Sequence, residues 1–288
     1  MRINLLLAIV FNVIASNILH AQSIYIELIY KQLPEDSIEI QLIKYFDCET
    51  TGISDEEKCQ VLENQTFLFQ KVISLKCTGQ KDTIIFANSG CINISRYCLK
   101  KVVYSGKIQN NHSPGGLLIV YAEKNKSELI TNIITEKPES YFIISTTIPQ
   151  FGENNQNSFK TMLPIYQCIK HPYTFYYEPI DDDNDSIILE LNEVSTLREE
   201  RYEEAVNLTG KDIPIPLDPP YEVIRYKEGC SAANPFNSGE FISIKSDNSC
   251  SFYTTEKGNY LIGLTVKEFR KQNVISERKM IFISKSIN

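Results

Sequence analysis

The sequence predicts an all-β protein: two tandem antiparallel β-sandwiches behind a cleaved signal peptide. Three observations predict it. Apolar and polar residues alternate at period two through most of the chain, turn-forming residues separate the alternating runs, and only one stretch carries a helical pattern. The 288 residues suit one large domain or two of ordinary size. An apolar fraction of 42% with 10% aromatics excludes a collagen-like or disordered chain. A net charge of −7 provides little to neutralise phosphates and argues against nucleic acid as a partner.

Residues 1–21 read as the signal peptide. Arg2 supplies the positive start, Leu5 to Ile14 is an apolar run broken only by Asn12, and Ala21 is the small residue before the cut at Gln22. An uncleaved anchor is the alternative, but the run is short beside the roughly 20 apolar residues a spanning helix needs. No later stretch is long and apolar enough, so no membrane span is expected after cleavage. Loss of Arg2 takes the net charge from −7 to −8. The expected location is exported: cell surface, extracellular space or periplasm.

Residues 22–150 read as a first, disulfide-rich sandwich. Ile24, Ile26, Leu28 and Tyr30 share one face of a strand. Ile38, Ile40 and Leu42 repeat the pattern, with Glu39 and Gln41 facing away, and Leu33-Pro34-Glu35-Asp36 turns the chain between them. Further strand-like runs are Phe67 to Ile73, Cys98 to Tyr104, Leu117 to Tyr121 and Tyr141 to Ile148. Gly115-Gly116 after Pro114 is a turn signal.

Residues 151–164 read as a linker, because Gly152 to Ser158 is polar and aperiodic. Residues 165–288 read as the second sandwich. Its strand-like runs are Tyr173 to Tyr177, Ser186 to Leu191 and Phe241 to Ile244. A final hairpin has Tyr260 to Lys267 alternating, Arg270 to Asn273 turning, and Val274 to Ile283 returning. Glu193 to Leu208 holds the helical pattern, with Thr196 and Glu199 at capping-box spacing, but its apolar stripe is thin and a solvated loop is expected. Four prolines between Ile213 and Pro220 force an extended path inside this domain.

Export changes how the cysteines read. Cys48, Cys59, Cys77, Cys91, Cys98, Cys168, Cys230 and Cys250 are even in number and all lie in the mature chain. Disulfides are the default in an oxidising compartment, at about 2–4 kcal/mol each. Zinc would want a CxxC knuckle, which is missing, and only His112 and His171 survive cleavage. The connectivity stays open, apart from an expected Cys230–Cys250 pair that is isolated from the other six.

One constellation carries chemistry. In Asp181-Asp182-Asp183-Asn184-Asp185 the carboxylates of Asp181, Asp183 and Asp185 are spaced by two, and a tight loop would converge them on Ca²⁺. The full EF-hand pattern is absent, and an acidic β-turn is the competing reading. No catalytic residues are expected. The chain has no Gly-x-Ser-x-Gly elbow and no phosphate-binding loop, and the two remaining histidines read as surface residues.

In the same order along the chain come several strings. These are Leu42 to Cys48, Cys98 to Gly106, Gly115-Gly116 with Val120-Tyr121, and Thr146 to Pro149. Asn157-Ser158-Phe159, Leu163 to Cys168 with Pro172 and Phe175, Asp181 to Ile187, Asn234 to Ile244, and Gly258 to Arg270 follow. In them the chain resembles an N-terminal module of secreted and surface proteins of the Bacteroidetes, associated with PKD and gliding-motility C-terminal domains. It departs at Ala122 to Asn125, where that family carries a doubled cysteine, at Asn192, where it carries another, and at Asn184, where it carries glycine. The resemblance implies immunoglobulin-like or cadherin-like sandwiches and no catalysis. The resulting expectation is a non-enzymatic exported protein for adhesion, with a cell-surface protein or glycan as its partner. A calcium-stiffened spacer, or less readily a carbohydrate-active enzyme using acidic residues, is the alternative.

Overall fold

The computed structural model describes residues 22–85, 98–110, 113–125, 129–135, 140–150, 154–159, 165–197, 219–237, 243–244 and 249–287. Every named element among them is a strand. They are β1 (Ser23–Leu33), β2 (Ser37–Asp47), β3 (Glu56–Glu63), β4 (Phe69–Ile85), β5 (Cys98–Gln109), β6 (Leu117–Asn125) and β7 (Ser140–Ile148). Short pieces follow: β8 (Ser158–Phe159), β9 (Tyr166–Cys168), β10 (Tyr173–Tyr176), β11 (Pro179–Ile180), β12 (Ser186–Asn192), β13 (Ser195–Thr196), β14 (Glu222–Val223), β15 (Ser243–Ile244) and β16 (Ser249–Phe252). The chain ends in the long pair β17 (Gly258–Arg270) and β18 (Asn273–Ile287).

Eight strands close into a ring, in the order β18-β1-β2-β5-β4-β3-β6-β7, with β7 returning to β18. β12 and β17 extend the sheet beyond β18, and β13 and β14 extend it beyond β7. All pairs in the ring are antiparallel. This closed barrel replaces the two tandem sandwiches expected from the sequence. It takes seven strands from before Pro149 and its eighth from the C-terminal hairpin. Alternation fixes which face of a strand is apolar but not which edges pair, and the edges are what separate a barrel from a sandwich.

The closing strand is built for the role. Thirteen register pairs join β18 to β17 along one edge, from Gly258↔Ser286 to Arg270↔Asn273. The other edge is shared. Arg278 and Lys279 face Thr146 and Ser145 of β7, Ile281 and Phe282 face Ile26 and Tyr25 of β1, and Lys285 to Ile287 run parallel to β9. Met280 to Ile283 is a continuous buried apolar run, and β1 is likewise buried from Ser23 to Leu28. A strand covered on both faces loses the alternation of a half-buried one.

The hairpins follow their turn chemistry. Lys271 and Gln272, both at positive φ (50° and 69°), make the two-residue β17–β18 turn whose twist matches the strands. In the three-residue loop between β1 and β2, Glu35 and Asp36 after Pro34 also take positive φ (62° and 51°). Leu28 and Tyr30 lie opposite Leu42 and Ile40 in the core, while Glu39 and Gln41 are half-buried, as the alternation predicts.

Residues 154–159, the described part of the segment expected to be a linker, are built into the fold. Asn154, Gln156 and Asn157 are buried. Asn154 donates to the Tyr30 hydroxyl at 2.8 Å and to Glu268 at 2.9 Å. Gln156 donates to Thr146 and Ser276, and the Asn157 side chain donates to Glu268 at 2.6 Å. Amides with both donors and acceptors satisfy strand ends that apolar side chains would leave unpaired. Beyond Leu197, the expected loop at Glu193 to Leu208 and the proline-rich stretch up to Asp218 lie outside the described residues. So do residues 1–21, where a signal peptide is expected, and Phe241-Ile242.

Candidate functional site

The acidic turn lies between β11 and β12, and the structure brings its three predicted carboxylates together. Oxygens of Asp181, Asp183 and Asp185 all lie within 4.8 Å of one another. Asn184 takes the left-handed conformation (φ 59°) that lets the turn close, a role asparagine tolerates where glycine is usual. A cation of the protein already serves the cluster. Arg270 Nε and Nη2 donate to the two oxygens of Asp185 at 2.8 and 2.7 Å, and Nη2 lies 3.7 Å from Asp183. Asp183 also accepts the Asn155 N–H at 2.6 Å, and Asp181 accepts the Asp185 N–H. Asp181 Oδ1 is buried without a hydrogen-bond partner. Burial, with added repulsion from Glu268, Asp185 and Asp183, holds the Asp181 carboxyl above the usual aspartate range despite that N–H.

The cysteines divide. Cys48 and Cys98 form a disulfide across the ends of β2 and β5, and Cys168 on β9 is also disulfide-bonded. Cys91 lies outside the described residues. Cys59, Cys77, Cys230 and Cys250 are thiols, so the expected Cys230–Cys250 pair is not made. The reason is placement. Cys250 is committed to the core from β16, whereas Cys230 sits in a separate turn, its N–H donating to Lys227 O at 2.9 Å. Cys59 packs in the core on β3 and Cys77 lies on β4 opposite Tyr104. Burial pushes the Cys250 thiol up to about 12 and the Cys59 thiol higher still. Of the three histidines, His171 is exposed, and His20 and His112 lie outside the described residues.

Two features escaped the reading of the sequence. The first is the β3–β4 tip. Phe67 and Leu68 are not strand, as their apolar run suggested, but the turn before β4. Phe67, Leu68 and Phe69 are 39%, 64% and 52% exposed, and Val72 follows on β4 at 39%. The turn is held firmly. Phe67 is at φ 57°, an unfavourable conformation for a bulky residue. Its N–H donates to Glu63 O at 2.9 Å, and the Glu63 N–H donates to Leu68 O at 2.9 Å. The Glu63 carboxylate accepts both the N–H and the hydroxyl of Thr66, which holds it below the usual glutamate range. Gly116 seats the tip by accepting the Asn64 N–H.

The second is a buried charge cluster. Lys44 Nζ lies 2.7 Å from Glu123, 3.0 Å from Glu57 and 2.9 Å from the Tyr121 hydroxyl, over the rings of Phe46 and Tyr121. Burial pulls the lysine pKa down, but the two carboxylates outweigh it and the pKa lies above that of a free lysine. Burial and the same carboxylates push the Tyr121 hydroxyl well up. The signal was parity: Lys44 continues the inward series Ile40 and Leu42, and Glu123 continues Ile119 and Tyr121.

No helix among the described residues is long and apolar enough to cross a membrane. The disulfides suit a non-cytoplasmic compartment. No family model, curated protein or solved structure matches the chain.

Proposed function

We propose that this is an exported, non-enzymatic protein of the cell surface, extracellular space or periplasm that binds a protein or glycan through the β3–β4 tip. The observation that carries the reading is the tip: three consecutive apolar side chains exposed where a turn held by five hydrogen bonds of its own residues enters β4. Exposed apolar groups cost solubility, and a turn whose backbone is held before contact loses little backbone freedom on binding. The signal-peptide reading and the resemblance to surface modules support export.

Labelled mature protein, applied to whole cells and to a panel of immobilised glycans, tests it. A Phe67→Ser/Leu68→Ser/Phe69→Ser variant should bind at least about tenfold more weakly while melting at the same temperature, since a central aromatic commonly contributes more than 1.4 kcal/mol. Equal binding by the two proteins rejects the tip as the contact surface.

A calcium-stiffened spacer is the second reading, with Asp181, Asp183 and Asp185 as its candidate ligands. It requires Ca²⁺ to compete with Arg270 for Asp185. Millimolar Ca²⁺ should then raise the melting temperature of the wild type but not of Asp183→Ala. No shift rejects it.

A further inference from the structure

We propose that Lys44 and Glu123 become joined by an amide bond, a covalent cross-link formed by the folded chain with Glu57 as its proton carrier. The proposal does not depend on what the tip binds. It rests on three groups that converge in the interior of the ring. The amine of Lys44 is 2.7 Å from the Glu123 carboxylate and 3.0 Å from the Glu57 carboxylate. Lys44 and Glu123 are 5% and 3% exposed at their side chains, and Glu57 is 18% exposed. The Tyr121 hydroxyl lies 2.6 Å from Glu123 and 3.0 Å from Glu57, and the Ser23 hydroxyl donates to the other oxygen of Glu123.

Each group has a place in the reaction. Glu57 accepts a proton from the Lys44 ammonium and passes it to the Glu123 carboxylate. The freed amine attacks Glu123 Cδ and the C–N bond forms. Negative charge developing on Glu123 Oε1 faces the Ser23 hydroxyl, which stabilises it as an O–H donor, while Oε2, beside the Tyr121 hydroxyl that also contacts Glu57, is the oxygen that departs. Glu57 then takes a second proton from the nitrogen and delivers it to the departing oxygen. The C–O bond breaks and water leaves. Two N–H protons and one carboxyl oxygen make that water. The three groups carry a net charge of −1 before and after, finally on Glu57, and no oxidant or reductant is consumed.

The surroundings favour the product. An ion pair held this far from water carries a large desolvation cost that a neutral amide does not. Groups fixed in contact react as if at very high concentration, which offsets the unfavourable condensation of an amine with a carboxylate in water. The bond would also be well placed mechanically. β2 and β6 are separated in the ring by β5, β4 and β3, so it would brace the barrel across its interior.

Intact mass of the reduced, denatured mature protein decides the matter. The expected result is a mass lower by one water than the sequence requires, with a branched peptide joining the segments that hold Lys44 and Glu123. Cyclisation of a terminal Gln22 would instead remove ammonia and leave no branched peptide. Lys44→Arg and Glu57→Gln should regain the missing water mass. A wild-type protein of full mass, whose Lys44 reacts with an amine reagent once unfolded, overturns the proposal whether or not either variant folds. A branched peptide formed as completely in Glu57→Gln as in the wild type overturns the role of Glu57.

Discussion

Glu27 on the first strand and Arg278 on the last form an ion pair 2.9 Å apart, with side chains 6% and 1% exposed. The contact lies at the seam of the ring, where β18 pairs with β1 and β7. Tyr25 donates to Glu27 at 3.0 Å. Arg278 donates to the carbonyl and side-chain oxygens of Asn157 and lies over the Phe159 ring. Strand β1, the loop at 154–157 and β18 are therefore held by one guanidinium.

Removing that guanidinium should weaken the whole barrel. Arg278→Met leaves Glu27 as an unpaired buried charge and should cost about 3–5 kcal/mol in urea unfolding. The double variant Glu27→Leu/Arg278→Met removes both charges and should be more stable than Arg278→Met alone. A double variant that loses the sum of the two single losses would mean that the pair is not coupled.

The amide loop gives a second measure of the same seam. Asn157 joins Glu268 to Arg278, its backbone and side-chain N–H groups donating to Glu268 at 2.7 and 2.6 Å. Asn157→Ala strands buried partners on both sides and should cost about 1–3 kcal/mol. Asn155 is half-buried, so Asn155→Ala should cost less. Parallel urea titrations of the two variants check the order.

How much of this was legible in the sequence depends on the interaction concerned. The β17–β18 hairpin and the β1–β2 pair were readable, because alternation and a local turn specify both. The ring was not, because Ile26↔Ile281 and Thr146↔Arg278 join residues far apart in sequence, and side-chain parity carries no information about partner edges. The loop at 154–157 looked like a linker because composition was the only guide, and buried amides have the composition of exposed ones. The convergence of Asp181, Asp183 and Asp185 was readable from their spacing, but Arg270 was not, since it comes from the end of β17.

The cysteines make a chemical prediction. The Cys48–Cys98 bond closes a separation of 50 residues, and Cys48→Ser/Cys98→Ser should lose about 2–4 kcal/mol in urea unfolding. In the native protein an alkylating reagent should reach the half-buried Cys77 and Cys230 and spare the buried Cys59 and Cys250 until the chain unfolds. Rapid labelling of all four without denaturant would contradict the placement of Cys59 and Cys250 in the core.

Asp181 gives a prediction whose sign is unusual for an acidic residue. Its carboxyl is held above the ordinary range, foremost by burial, and Oδ1 has no hydrogen-bond partner. A folded-state pKa above the unfolded value of about 3.9 means that the folded chain binds the proton more readily. The ionised carboxylate therefore destabilises the fold at neutral pH, and that penalty is lifted as pH falls through the folded-state value. Asp181→Asn keeps an oxygen to accept the Asp185 N–H and removes the charge beside Asp183, Asp185 and Glu268. It should melt above the wild type at pH 7, and the two proteins should converge below about pH 4, where the unfolded carboxyl is also protonated. Melting curves across this range, recorded with a chelator present, check it. A variant that melts below the wild type at pH 7 would show that the ionised carboxylate stabilises the turn, its attraction to Arg270 outweighing burial and the repulsion of its acidic neighbours.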